Sequence, residues 1–324
     1  MRHFAAALIF ASFARAQNPQ TNEIAEAVKS PVALAHYVEA HSDGLDWDAV
    51  WKALGTPEPK RLYPFCGDRL ALTYSCSTEI VSVVNPDQTI LIAQSSGVRS
   101  HDIYLRYLQQ AEGDWRFTGV YAATLYDDSL RRHEIERIGS RPFLRVASDL
   151  SQVGGGFVFQ VEDWFDLTRS GLEPVFSFTS DGSFGFGDFI RREVHGHAYT
   201  AADSGVDRIT VTLSVGFALV DRALGAPEMY SGVYERGPAD EKFHLRSARM
   251  GGQLPTDGKP MPVEDFETLQ GLNFQNERAL VHTLGGLKQV ATGSDPEPKK
   301  WLQSLLDKTR DTPEKRELLQ LLGN

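Results

Sequence analysis

Between residues 115 and 215 the chain alternates apolar and polar positions with a period of two, as a β-strand with one buried face requires. The clearest run spans residues 208 to 215. Its apolar members are Ile209, Val211, Leu213 and Val215, and arginine, threonine and serine stand between them. Short strands joined by turns rich in glycine and aspartate predict an antiparallel meander. A curved sheet, a sandwich, a barrel-like sheet and a partial propeller all fit these strand lengths.

Both ends of the chain change to a helical period. Ser30, followed by proline, is a helix N-cap pattern, and Asp46 is the next cap candidate. Gly55 is placed to end the second of these helices. Near the C-terminus, Thr312 followed by proline and glutamate predicts the start of the last helix.

These patterns predict a mainly β fold, α+β overall, with helices at the N- and C-termini. The expected division is a signal peptide at 1–16, an N-terminal helical segment at 17–60, an antiparallel β domain at 61–250, a linker at 251–262 and a C-terminal helical segment at 263–324.

The N-terminus has the pattern of an export signal. A short basic start precedes an apolar run from Phe4 to Phe13, and Ala14-Arg15-Ala16 matches the small-x-small cleavage pattern. The apolar run is too short to span a bilayer, which needs about 20 residues. We expect cleavage before Gln17 and a mature protein without a transmembrane segment, either periplasmic or secreted.

The chain has two cysteines, Cys66 and Cys76. Export would carry both into an oxidising space, so we expect a disulfide between them. The alternative is a pair of unpaired, buried thiols. Their spacing is typical of neither a metal site nor a redox site.

The overall charge limits the classes of partner. A formal net charge of −10 over 324 residues disfavours general binding to nucleic acid, whose phosphates an acidic surface repels. A protein or glycan partner remains compatible with this composition.

The first candidate for chemistry is the segment around two histidines. If it is a strand, Glu193, His195 and His197 project from one face, with Cβ atoms of the two histidines roughly 7 Å apart. Such a pair can bind a divalent metal such as Zn²⁺ when a third ligand joins it, and Asp188 and His244 are conceivable donors. The alternative is an ordinary solvent-facing polar row.

Other chemical motifs are absent or weak. No Gly-x-Ser-x-Gly or Ser-x-x-Lys motif occurs, and the glycine-rich segment 181–188 lacks the ending of a phosphate loop. Acidic residues cluster at Glu162, Asp163 and Asp166 and at Asp127-Asp128, where surface charge is the ordinary interpretation. An aromatic stretch around Trp164 favours a core between sheet layers over a ligand platform.

The sequence therefore favours an exported, non-catalytic domain that binds a partner or supports an envelope assembly. One alternative is a metal-dependent hydrolase that uses His195 and His197. Another is a carbohydrate- or lipid-binding module that uses Phe157, Phe159, Phe176 and Phe178.

Overall fold

A computed structural model of the protein describes most of the chain. The described residues are 19–59, 65, 75–83, 87–96, 100–125, 133–149, 157–186, 190–203, 205–219, 222–223, 227–251, 257–270 and 284–323. The predicted signal peptide and Cys66 lie outside these ranges, so the pairing of Cys66 with Cys76 stays a prediction. The sequence also predicts a short helix at 276–284, which falls outside these ranges except for its last residue.

Seven helices lie within the described residues. They are α1 (Pro19–Ala27), α2 (Pro31–Ala40), α3 (Trp47–Leu54), α4 (Val263–Gln270), α5 (Leu284–Thr292), α6 (Pro296–Asp307) and α7 (Pro313–Gly323). None of these helices is long and apolar enough to cross a membrane.

The helix ends have the capping groups that the sequence predicts. The Ser30 hydroxyl accepts a hydrogen bond from the Ala33 N–H at 3.0 Å, and an Asp46 carboxylate oxygen accepts one from the Ala49 N–H at 3.0 Å. Gly55 ends α3 with φ +69°, a left-handed conformation that glycine adopts without strain. These caps satisfy backbone groups that a helix end leaves unpaired.

Fourteen strands are described. They are β1 (Cys76–Ser82), β2 (Gln88–Ser95), β3 (Ser100–Gln109), β4 (Trp115–Leu125), β5 (His133–Ile138), β6 (Arg141–Asp149), β7 (Phe157–Asp166), β8 (Pro174–Phe186), β9 (Ile190–Asp203), β10 (Val206–Leu219), β11 (Arg222–Ala223), β12 (Glu228–Arg236), β13 (His244–Met250) and β14 (Lys259–Met261). The last of these lies in the segment that the sequence marks as a linker.

The strands form two antiparallel sheets. The small sheet has the order β1-β2-β3-β4, and the large sheet has the order β14-β13-β12-β10-β9-β8-β7-β6-β5, with β11 paired to β10. The predicted fold class, mainly β with helices at both ends, is confirmed, and neither sheet closes into a barrel.

The small sheet is the middle layer of the N-terminal half. One face, with Leu91 and Ile103, packs against α1, α2 and α3 and their two stacked tryptophans. The other face, with Ile92 and Tyr104, packs against Phe165 and its neighbours on β6 and β7 of the large sheet. Both faces are therefore buried, which explains why β2 reads as a continuous apolar run.

A second core fills the large sheet. Ile209, Val211, Leu213 and Val215 are at most 3% exposed, as the alternation predicts. Helix α4 inserts Phe266 over Gly232, where a Cβ atom would lie only 2.4 Å from the phenyl ring. A separate cluster of leucines holds α5, α6 and α7 together.

One predicted strand face is wrong. The alternation places Trp115, Phe117 and Tyr121 together, but Trp115 and Phe117 pack towards the helices whereas Tyr121 packs towards the large sheet. The reason is a bulge: Thr118 is an extra residue between the pairs Arg106–Gly119 and Tyr107–Phe117. One inserted residue moves every later side chain to the opposite face.

Two buried arginines make long-range contacts, one within the large sheet and one between the two sheets. Arg236, 1% exposed, lies 2.8 Å from Asp166 and 3.1 Å from Asp207, and Arg141 reaches Asp207 at 2.9 Å. The side chain of Arg106 on β3, also 1% exposed, donates to backbone carbonyls of Leu167, Arg169 and Gly171 in the β7–β8 turn. Arg106 thereby ties the small sheet to the large one.

Candidate functional site

A wedge opens in the large sheet where β8 leaves β9. The pairing of the two strands begins with Phe186 opposite Ile190 and ends with Asp181 opposite His195. Beyond His195, β9 continues for eight more residues that are not paired with β8. A bulge at Ser180 accompanies the departure. Gly196 stands at the divergence, where a Cβ atom would lie 2.1 Å from the Thr179 carbonyl oxygen, so only glycine lets the backbones approach.

The hairpin of β5 and β6 covers the far side of this wedge. The Thr200 hydroxyl of β9 donates to a Glu136 carboxylate oxygen on β5 at 2.9 Å. Gly139, in the hairpin turn, comes close to Ala202: a Cβ atom on the glycine would lie 3.1 Å from that of Ala202. The two edges enclose an open pocket of about 350 Å³, a volume in the range of small-molecule sites.

The pocket is polar. Strands β5 to β9 contribute the lining residues Glu134, Arg145, Ala147, Gln160, Glu162, Ser180, Asp181, His195, Gly196 and His197. Register explains why they meet: Ala147 lies opposite Glu162, Gln160 opposite Asp181, and Asp181 opposite His195. Cross-strand partners project from the same face of a sheet, so their side chains converge.

Asp181 and His195 form an ion pair or hydrogen bond across β8 and β9. Their carboxylate Oδ1 and imidazole Nδ1 atoms lie 2.9 Å apart, with 45% and 62% of the side chains exposed. With Nδ1 engaged by the carboxylate, the other ring nitrogen, Nε2, is the one left to meet a ligand.

Arg145 is held by three carboxylates. Its guanidinium lies 2.8 Å from Glu136, 2.7 Å from Glu162 and 3.4 Å from Glu134, and it stacks on Trp164 at 4.9 Å from the ring centroid. Burial alone would lower the pKa of Arg145, but the hydrogen bonds and charges of Glu162 and Glu136 outweigh burial and raise it. The guanidinium is therefore neutralised within the protein.

Gln160 lies at the base of the pocket. Its side chain is 8% exposed and makes no hydrogen bond to any residue in the described part of the chain. The amide atoms of Gln160 keep access to solvent, and the residue lines the pocket, so the amide is available to a ligand there. A ligand in the pocket would supply the missing hydrogen bonds.

The residues predicted to bind a metal lie beside this pocket. Glu193, His195 and His197 are on β9, opposite the buried Val194 and Ala198, and both histidines are exposed. Within the described ranges, no group of three or more His, Cys, Asp or Glu residues is arranged to hold a metal ion.

Of the two further ligands considered from the sequence, only His244 lies within the described residues. Asp188 lies outside the described residues, and His244 is on β13, separated from β9 by β10 and β12. The imidazole of His197 instead packs edge-on against Tyr199, with ring centroids 4.6 Å apart.

Within the described residues, the other acidic and aromatic candidates do not converge. Glu162 faces the pocket, Asp163 accepts hydrogen bonds from Tyr121 and Ser177 on the other side, and Asp166 is buried with Arg236. Asp127 and Asp128 lie outside the described residues. Trp164, Phe165, Phe176 and Phe178 are all buried, as the core interpretation predicts for these four, whereas Phe159 is partly exposed.

Sequence reasoning missed Glu134, Arg145 and Gln160 as pocket residues. Each is an ordinary polar position on its own strand, and only the return of β5 towards β9 brings them to the histidines. The signal that was present is the alternation on β7, where Gln160 and Glu162 share a face with the apolar Trp164. Polar residues on an apolar face indicate a local opening in the core.

Comparisons with family models, with curated proteins and with solved structures found no match for this chain.

Proposed function

We propose that the protein is an exported, non-catalytic binding domain whose ligand site is the pocket between β5–β7 and β9. The observation that carries the proposal is Gln160, a residue only 8% exposed that lines the pocket and whose amide lacks a partner among the described residues. Rigid strands position every lining residue, as a preformed binding site requires.

Ligand-induced stabilisation tests the binding proposal. Purified protein is heated with three sets of small molecules: sugars and polyols, carboxylates, and amines. We expect one set to raise the unfolding temperature, because a ligand at a hundred times its Kd stabilises the native state by about 2.7 kcal/mol. The Gln160→Leu variant, which keeps the side-chain volume but removes the amide, should respond less.

Two results would argue against a ligand site here. Either no set stabilises the wild type, or the same set stabilises the wild type and Gln160→Leu equally. Ser247→Ala, which alters an exposed hydroxyl on β13, is the matched control and should respond like the wild type.

The proposal of export rests on the N-terminal pattern. Expression of the full chain in a bacterium that processes signal peptides, followed by mass spectrometry, should give a mature protein beginning at Gln17 in the extracytoplasmic fraction. An unprocessed chain retained in the cytoplasm would contradict it.

A further inference from the structure

The geometry points to a small organic cation bearing protonated amine groups as the ligand of this pocket. This inference rests on the proposed function and adds the chemical class of the ligand. Its support comes from the charge balance, from the state of Arg145 and from the hydrogen-bonding groups left free.

The charge balance around the pocket is negative. Glu134, Glu162 and Asp181 line it, and Glu136 lies just behind on Arg145, so the site contains four carboxylates and one guanidinium. Carboxylates confined in a partly enclosed site interact more strongly with a bound charge than they would in bulk water. Binding of a cation in the pocket is therefore electrostatically favourable, whereas binding of an anion is unfavourable.

Arg145 does not offer an anion site. Its guanidinium is already bonded to Glu136 and Glu162, at 2.8 and 2.7 Å, and the face of the group lies on Trp164. An anionic ligand would have to displace both carboxylates and leave them without their cation. The position of Arg145 thus argues against carboxylates and phosphates as ligands.

The free hydrogen-bonding groups suit a donor. Gln160 contributes a carbonyl oxygen with no partner in the described residues, and Glu134 is 69% exposed with only a 3.4 Å contact to Arg145. An ammonium group donates up to three hydrogen bonds, and bonds to charged acceptors are the stronger kind. The same described residues do not form a cluster able to hold a metal ion, which favours an organic cation.

Three four-carbon probes of similar length test the inference by calorimetric titration: putrescine, 1,4-butanediol and succinate, which carry positive, zero and negative charge. We expect putrescine to bind more tightly than either control. Its affinity should weaken in high salt, because salt screens charge interactions at an open site.

Variants separate the site from the rest of the acidic surface. Glu134→Gln should weaken putrescine binding by about tenfold or more, since a hydrogen bond to a charged group is lost. Glu241→Gln, which removes an exposed carboxylate elsewhere, should leave the affinity unchanged.

The outcomes distinguish this inference from the proposed function. Suppose that butanediol or succinate binds the wild type more tightly than putrescine, and that Gln160→Leu weakens that binding. The pocket is then a binding site, but the inference that its ligand is a cation is wrong. If putrescine binding is insensitive to Glu134→Gln, the inference is also overturned. If none of the sugars, carboxylates and amines binds, the proposed function itself fails.

Discussion

Arg236 provides the most direct test of how the large sheet is held together. Replacing it with methionine removes the guanidinium between Asp166 and Asp207 and keeps an apolar stem between the rings of Phe143 and Phe243, whose centroids lie 5.2 and 5.1 Å from the charge. Two carboxylates that are at most 5% exposed would lose their shared cation.

The magnitude follows from what remains around each carboxylate. Removing one partner of a buried ion pair costs about 3–5 kcal/mol. Asp207 keeps Arg141 at 2.9 Å, and Asp166 keeps the N–H and hydroxyl of Thr168 at 2.8 and 2.7 Å. We therefore expect a loss near the lower end, about 3 kcal/mol at pH 7.

The loss should depend on pH with a defined sign. Burial alone would raise the pKa of Asp166, but hydrogen bonds from Thr168 and Arg236 and the charge of Arg236 lower it below the ordinary value. A lowered pKa contributes stability above about pH 4 that disappears as the pH falls through the folded-state value. In Arg236→Met, Asp166 loses the hydrogen bond and the charge of Arg236 and protonates more readily, so the difference in unfolding free energy from the wild type should narrow from pH 7 towards pH 4.

Urea unfolding at several pH values measures both effects. Arg316→Met, which removes an exposed partner of Asp311, is the control and should unfold like the wild type. A stability of Arg236→Met within about 1 kcal/mol of the wild type at pH 7, well short of the cost of a broken buried pair, would refute the reasoning. A difference in unfolding free energy between the variant and the wild type that does not narrow towards pH 4 would also refute it.

Three further predictions concern packing, ionisation and binding. Gly232→Ala should cost about 1–3 kcal/mol in urea unfolding, because the new methyl group collides with Phe266, whereas Gly44→Ala, with open space around it, should not. Burial is the main cause that raises the pKa of Tyr234 to about 12, so ultraviolet titration should give equal phenolate signals for the wild type and Tyr234→Phe up to pH 11; a deficit of one tyrosine in the variant would contradict this. Putrescine affinity should fall in His195→Arg, because a permanent positive charge would then stand beside the ligand; an unchanged affinity would exclude His195 from the site.

The fold was predictable wherever one strand or helix contains its own signal. The alternation from Ile209 to Val215 identifies a buried face, and the caps at Ser30 and Asp46 mark helix starts, because both depend on residues close together in the chain. The face of Tyr121 was not predictable in this way. A bulge depends on how two strands pair, and the single extra residue at Thr118 has no local signature.

The candidate site was predictable only in part. His195 and His197 stand out by composition, and their strand follows from alternation. The other side chains that line the pocket come from four other strands. They come together because the pairing of β8 with β9 ends at the pair Asp181–His195. The sequence analysis considered Asp188 and His244 as a third metal ligand beside the two histidines, whereas register places Asp181 opposite His195.

The hydrogen bonds from Arg106 to the β7–β8 turn limit where the chain can be truncated. A polypeptide beginning at β5 would leave the turn carbonyls without their donor and would bare Leu144, Phe165 and Leu172, which the small sheet otherwise covers. Such a fragment would expose a contiguous apolar surface, and we expect it to aggregate. Both sheets should instead melt in a single calorimetric peak, as one cooperative body.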